Sequence, residues 1–164
     1  MKITAASEPP RLVLWRVVEK GGEKIVVAQD ETGALRFSAF VTGRKPSACL
    51  SPWKRKWPQA RFMENKAKGS LGASASLSGT PFQISVWRAI ATIREGAVLT
   101  YAELARKAGH PSAARAVGSA CGANPLPLLI PCHRIIGTNN RLGGFSAPLK
   151  IKLRLLRREG HAIN

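Results

Sequence analysis

Residues 65–79, NKAKGSLGASASLSG, constrain the fold more than any other stretch, because the patterns on either side of them obey different periods. The run is small, polar and without hydrophobic repeat, and residues 65–78 read as a linker or mobile loop. Before it, residues 11–18 (RLVLWRVV), 25–29 (IVVAQ) and 34–41 (ALRFSAFV) are short and rich in β-branched and aromatic side chains. Gly21-Gly22 and the run DETG at 30–33 separate them and suit hairpin turns, so an antiparallel meander is predicted. Ser51-Pro52-Trp53 opens a short helix that ends before Pro58.

After the interruption the period becomes helical. Thr80 is an N-cap with Pro81 at the first helical position, and Phe82, Val86, Trp87, Ile90 and Ile93 recur at helical spacing until Gly96. Thr100-Tyr101-Ala102-Glu103 is a capping-box pattern opening a second helix that closes at Gly109, and Ser112 reads as the cap of a third over residues 113–121. Two short helices joined by a tight turn make a helix-turn-helix. Apart from Arg115 and Val117 the third helix has almost no side-chain bulk. Such a helix either packs tightly in a core or presses its backbone against another surface.

Charge narrows the partners. Lys and Arg number 26 against 9 Asp and Glu, a net charge of +17 that solubility does not require and that points to a polyanion: DNA, RNA or an anionic membrane surface. No apolar run is long enough to span a bilayer, and the first residues do not pattern as a signal peptide, so a cytoplasmic protein, or a nuclear one in a eukaryote, is expected. Cys49, Cys121 and Cys132 are too widely spaced for a disulfide framework or a four-ligand zinc site. With Cys49 alone and no His in the first half, no metal is expected there.

Residues 126–130 (LPLLI) deliver Cys132, His133 and Arg134 at their end. A buried Cys is more often an inert small hydrophobe than a nucleophile, but an imidazole and a guanidinium beside it favour the thiolate. Adjacent side chains of an extended segment point to opposite sides, so His133 reaches the sulfur only if the chain turns there or a water bridges the two.

The run Pro131-Cys132-His133-Arg134-Ile135-Ile136, with Asn124-Pro125 before it and Gly143-Gly144 after it, resembles the O6-alkylguanine-DNA alkyltransferase family. The likeness extends through Gly79-Thr80-Pro81-Phe82, Val98-Leu99-Thr100-Tyr101, Ala114-Arg115-Ala116-Val117-Gly118 and Arg158-Glu159-Gly160. It implies an α+β protein: a small ribonuclease-H-like antiparallel sheet domain at residues 1–77, and a largely helical domain with a winged-helix-like helix-turn-helix at residues 79–164. It also implies a single-use DNA repair protein that moves an alkyl group, methyl foremost, from guanine O6 to its own Cys132, with O4-alkylthymine as a lesser substrate and no cofactor.

By the same resemblance His133 is the base acting through a water, Glu159 orients it, and Tyr101 donates a proton as guanine departs. The third helix enters the minor groove of double-stranded DNA through Ala114, Ala116, Gly118 and Ser119, while Arg115 takes the place of the flipped base. Asn124, Pro127, Ile135, Phe145, Ser146 and Cys121 form the pocket. A monomer in solution is expected, with cooperative assembly on DNA left open. Phe145 stands where the family often has Tyr, and Ala147 and Pro148 where it often has Gly, which stiffens the pocket loop. Lys150, Lys152, Arg154, Arg157 and Arg158 are read either as a phosphate-contacting surface or as a solvated basic face. Three rivals fit less well: a non-catalytic lesion sensor would lack the cysteine, a Cys-His-Glu hydrolase would turn over repeatedly, and a methylation-activated transcription factor would need a further cysteine-rich metal domain.

Overall fold

The computed structural model describes residues 1–66 and 71–162, and the chain divides into two compact units, Met1–Gly79 and Thr80–Asn164. In the first, β1 (Lys2–Ala5) is followed by the meander β2 (Leu12–Lys20), β3 (Glu23–Asp30) and β4 (Leu35–Phe40). A 3-10 turn at Pro46–Leu50 runs into α1 (Ser51–Lys56), and β5 (Arg61–Glu64) and β6 (Ser74–Leu77) complete the unit. The three strands, their turns and α1 lie where the sequence pattern put them.

The sheet is mixed rather than antiparallel. Its order is β1-β6-β4-β3-β2-β5; the meander pairs antiparallel, but β5 joins β2, and β6 joins both β1 and β4, in parallel. The linker reading is corrected for residues 74–77: these form β6, with Ala75 and Leu77 fully buried, while residues 67–70 of that segment lie outside the described residues. The strand reads Ser-Ala-Ser-Leu; two alternations of small residues ending in one Leu are too brief to register against the surrounding Ser, Ala and Gly, and its pairing partners are remote in sequence. Val13, Trp15, Val26, Ala28, Phe37, Leu50 and Trp57 form the core of this unit, with Trp53 stacked on Phe37 at 4.6 Å. Arg36 is buried with them; it pairs with Asp30 at 3.3 Å, donates to the Glu8 carbonyl and lies over the Trp57 ring.

The second unit begins with α2 (Pro81–Ala91), which buries Ile84, Val86, Trp87, Ala89 and Ile90. Thr80 and Gln83 close a full capping box at its start. Two-residue β7 (Leu99–Thr100) leads into α3 (Tyr101–Lys107), where Thr100 and Glu103 form the box that the sequence pattern indicates. Each box satisfies two otherwise orphaned N–H groups. Thr100→Ala is therefore expected to lower unfolding free energy by about 1 kcal/mol, measurable by urea denaturation.

The chain turns at Gly109, with φ of +82°, and re-enters a helix as α4 (Ala114–Gly122). Here the capping expectation fails: the N-cap is Ala113, without a side-chain cap, and Ser112 lies one residue outside. The Ala113 N–H instead bonds the His110 carbonyl, so the backbone of the turn does part of the work of a cap. The Trp87 indole N–H donates to the Ala120 carbonyl at 2.9 Å and so fixes α4 against α2. After a 3-10 turn at Cys132–Arg134 come β8 (Ile135–Ile136), a second such turn at Thr138–Asn140, and α5 (Leu149–Arg158). β7 and β8 pair in parallel, Leu99 with Ile135 and Thr100 with Ile136. That short ladder brings the start of α3, and with it Tyr101, beside the Cys132 turn.

Candidate active site

Cys132 reaches its place through backbone that is anything but extended. The Ile130 N–H bonds back to the Leu126 carbonyl at 2.7 Å, Leu128 takes a left-handed φ of 73°, and Cys132, His133 and Arg134 form the 3-10 turn. A non-glycine residue in that region costs on the order of 1 kcal/mol, which the burial of Leu126, Leu128 and Ile130 offsets. The turn removes the premise that Cys132 and His133 must point to opposite sides.

Asn124 organises this loop with its whole amide. Its Oδ1 accepts from the Leu126 N–H at 3.0 Å, and its Nδ2 donates to the Ile130 carbonyl at 2.9 Å and to Cys132 Sγ at 3.1 Å. The family resemblance put Asn124 in the pocket; it lies outside the cavity lining and bonds the sulfur directly, a contact with no signal in the sequence. Burial pushes the Cys132 thiol up, and the Asn124 bond and the Lys152 charge work against that shift.

His133, 1% exposed, bonds Glu159 through Nε2 at 2.9 Å. Glu159 also receives Arg134 Nε and NH2, each at 2.9 Å, and the Arg134 guanidinium donates further to the Ile93 carbonyl at 2.7 Å. Burial alone would raise the Glu159 carboxyl, but the bonds from Arg134 and His133 and their charges hold it at about 2. Burial lowers His133, so its resting form is neutral. A carboxylate only accepts, so Nε2 carries the proton, and Nδ1, buried and without a partner among the described residues, keeps its lone pair.

Beside the sulfur lies a cavity of about 120 Å³ lined by Tyr101, Gly118, Cys121, Gly122, Cys132, Gly144 and Phe145. Of the predicted pocket residues, Cys121 and Phe145 face it. Asn124, Pro127 and Ile135 are buried outside the lining, and Ser146 is exposed and also outside it. Gly118, expected on the DNA-facing helix, lines the cavity as well, and Gly122 and Gly144 are additions. The Tyr101 hydroxyl donates to the Gly144 carbonyl at 3.4 Å, and burial raises its pKa, keeping the phenol protonated. Gly143 is required where it stands: φ is +65° and a Cβ would sit 3.1 Å from the Tyr101 hydroxyl oxygen. At Gly118 a Cβ would meet the Tyr101 ring at an ordinary 3.7 Å, so that glycine is not forced by this contact.

On α4, Arg115, Ala116 and Ser119 are exposed and Ala114 is half-buried. On α5 the exposed face carries Lys150, Arg154, Arg157 and Arg158. Lys152 does not belong with them. It is fully buried, and its Nζ donates to the Ile135 carbonyl at 2.6 Å and the Gly144 carbonyl at 2.9 Å. Its spacing from Ile151, Leu155 and Leu156 puts it on the inward stripe, a placement that helical periodicity carried and its charge obscured.

A thiol at the edge of a small cavity, bonded by an amide and followed by an imidazole–carboxylate pair, is the set of groups that nucleophilic chemistry at a cysteine calls for. Comparisons with known proteins agree. The model of the 6-O-methylguanine DNA methyltransferase DNA-binding domain matches residues 81–161. A methylated-DNA–protein-cysteine methyltransferase of Methanosarcina acetivorans is 38% identical over 143 residues, spanning 83% of this chain and 91% of that one. The Salmonella typhimurium protein of the same name is 49% identical over 85 residues, 52% of this chain and 50% of its own length. The crystal structure of Mycobacterium tuberculosis OGT in complex with DNA superposes with a TM-score of 0.69 at 26% identity, over 90% of this chain and 93% of that one. The chain belongs to the methylated-DNA–protein-cysteine methyltransferase family.

Proposed function

We propose that this protein repairs DNA by moving the alkyl group of O6-alkylguanine, methyl foremost, irreversibly onto Cys132. The observation that carries the reading is the Cys132 thiol at the cavity edge, held by Asn124 and followed by a His133–Glu159 pair whose free nitrogen is Nδ1. The thiol proton passes through a water to Nδ1, and Glu159 stabilises the imidazolium that results. The thiolate attacks the alkyl carbon, a carbon–sulfur bond forms, and the carbon–O6 bond breaks with its electron pair going to guanine. Tyr101, protonated at rest, gives its proton to guanine N3, so the leaving base is neutral. The thioether has no facile route back, so each molecule acts once.

Delivery of the base rests on α4. Its small exposed residues suit close approach to a minor groove, and Arg115 is the side chain long enough to fill the stack left by a flipped guanine. The other exposed cations would hold phosphates without regard to sequence, and a net charge of +17 supports that role. The same reading describes the first unit as ribonuclease-H-like and the second as winged-helix-like, the protein as a monomer before it meets DNA, and O4-alkylthymine as a minor substrate.

Intact-protein mass measurement after mixing with excess duplex carrying one O6-methylguanine tests the proposal. The expected result is a gain of one methyl group, mapped to the peptide containing Cys132, that stops at one per molecule. Tight binding to the same duplex with no change in mass would leave a lesion sensor in its place.

A further inference from the structure

The outer face of α5 carries a stripe of charge that the transfer chemistry leaves unused. Lys150, Arg154, Arg157 and Arg158 are exposed at helical spacing and, with half-buried Leu153 among them, line an open groove of about 470 Å³ that has no carboxylate in its lining. The helix dipole favours Arg157 and Arg158, which stand in the last turn. It does not account for the other two. Lys150 is the second residue of α5, at the end where the dipole disfavours a cation, in a first turn with neither an acidic residue nor a side-chain cap. Arg154 lies four residues from both Lys150 and Arg158, and like charges at that spacing destabilise a helix. A face that only meets solvent is better served by mixed signs; a polyanion lying along the stripe relieves each of these repulsions.

The stripe also looks away from the nucleophile. Opposite it on the same helix Ile151, Lys152, Leu155 and Leu156 are buried, and Lys152 bonds the Ile135 and Gly144 carbonyls. Beyond the last turn Glu159 meets His133 and Arg134. α4 reaches the cavity through Gly118, Cys121 and Gly122, whereas α5 touches the cavity wall from its inner stripe, at Gly144. The body of α5, about 10 Å across, therefore stands between the cavity and the outer stripe.

We propose that the outer stripe of α5 is a second DNA surface, which holds the phosphates of a duplex other than the one seated on α4, so that one molecule grips two segments at once. The proposal rests on the reading of α4 given above and assigns the α5 cations to a separate occupant. From Lys150 to Arg158 the stripe runs about 12 Å, a length over which duplex DNA presents about seven phosphate charges to the four cations. Contacts to phosphate carry no sequence information, so the second segment need not contain a lesion. A molecule held by α5 on one segment can present α4 to another without leaving the first.

Native mass spectrometry of the protein with excess short undamaged duplex counts the duplexes that each molecule carries. The expected wild-type species is one protein with two duplexes. Lys150→Gln, Arg154→Gln, Arg157→Gln and Arg158→Gln together should leave one, since Gln keeps the helix and removes the charge. Arg115→Glu with Ser119→Glu on α4 should also leave one, now held by α5. The second binding step, followed by anisotropy of a labelled duplex, should weaken about a hundredfold between about 50 and 200 mM salt, as four phosphate contacts release their counterions. A wild type that stops at one duplex per protein overturns the proposal before any variant is made, and so does a four-Gln variant that still carries two. If the α4 variant still carries two while the four-Gln variant carries one, the α5 stripe is upheld and the role of α4 in the proposed function falls. Methyl uptake by Cys132 is scored separately, from a duplex containing O6-methylguanine, and its absence would sink the proposed function without altering the count of undamaged duplexes.

Discussion

Cys132→Ala is expected to take up no alkyl group from an O6-methylguanine duplex under conditions where the wild type is titrated to one equivalent. The loss should be complete rather than graded, because Cys121 is no substitute. It lines the same cavity, but burial and the neighbouring Cys132 push its thiol up to about 12, and among the described residues no amide donates to its sulfur as Asn124 does to that of Cys132. At neutral pH a thiol of that kind is almost wholly protonated, and the thiolate is the nucleophile. Truncation at Cys132 removes one sulfur and leaves the Asn124 bonds to Ile130 and Leu126 in place, so the loop should keep its shape and duplex affinity should hold within about twofold. Methyl uptake by Cys132→Ala at a comparable rate would move the acceptor elsewhere and sink the assignment.

Glu159→Ala carries the second large effect, on stability and rate together. Its carboxylate neutralises a partly buried guanidinium and orients a buried imidazole, and removing it is expected to cost about 3 kcal/mol, the lower end for a buried pair, because the guanidinium charge is left largely uncompensated. Among the described residues Arg134 would keep only the Ile93 carbonyl. Denaturant unfolding of the variant should show that loss, and transfer should slow by about a hundredfold, since nothing then fixes the proton on Nε2. The pH dependence has a definite sign. The folded carboxyl sits at about 2, below its unfolded value, so the stability it contributes is fully present above about pH 4.3 and is lost as pH falls toward 2. His133, lowered by burial, adds a loss that begins as pH drops below the ordinary imidazole range. In Glu159→Ala the step between pH 4 and about 2 should be missing from the stability profile. A wild-type-like profile in that variant would mean that Glu159 is not where the carboxylate contribution resides.

Local rules written in consecutive residues were the readable ones. Thr80-Pro81 and the Thr100–Glu103 box act within one helical turn, and both helices begin where those residues put them. The three meander strands were equally plain, since their alternation and glycine turns need no remote partner. Parallel β6 was not, because a segment as short as Ser-Ala-Ser-Leu becomes a strand only when β1 and β4 supply its ladder. Ser112 misled for a related reason: a good capping residue is displaced when the turn from His110 sets the helix start one residue later.

The candidate site divides along the same line. By itself the sequence determined the candidate motif, because Asn124, Cys132, His133 and Glu159 are chemically particular residue types in a recognisable order. Tertiary structure alone decided that the Asn124 amide touches the sulfur, that Glu159 is shared between His133 and Arg134, and that Lys152 turns inward to the Ile135 and Gly144 carbonyls. Each of these is a contact between segments whose meeting depends on how helices pack and loops turn, and on how burial changes the free energy of a charge. No residue's neighbours along the chain encode that.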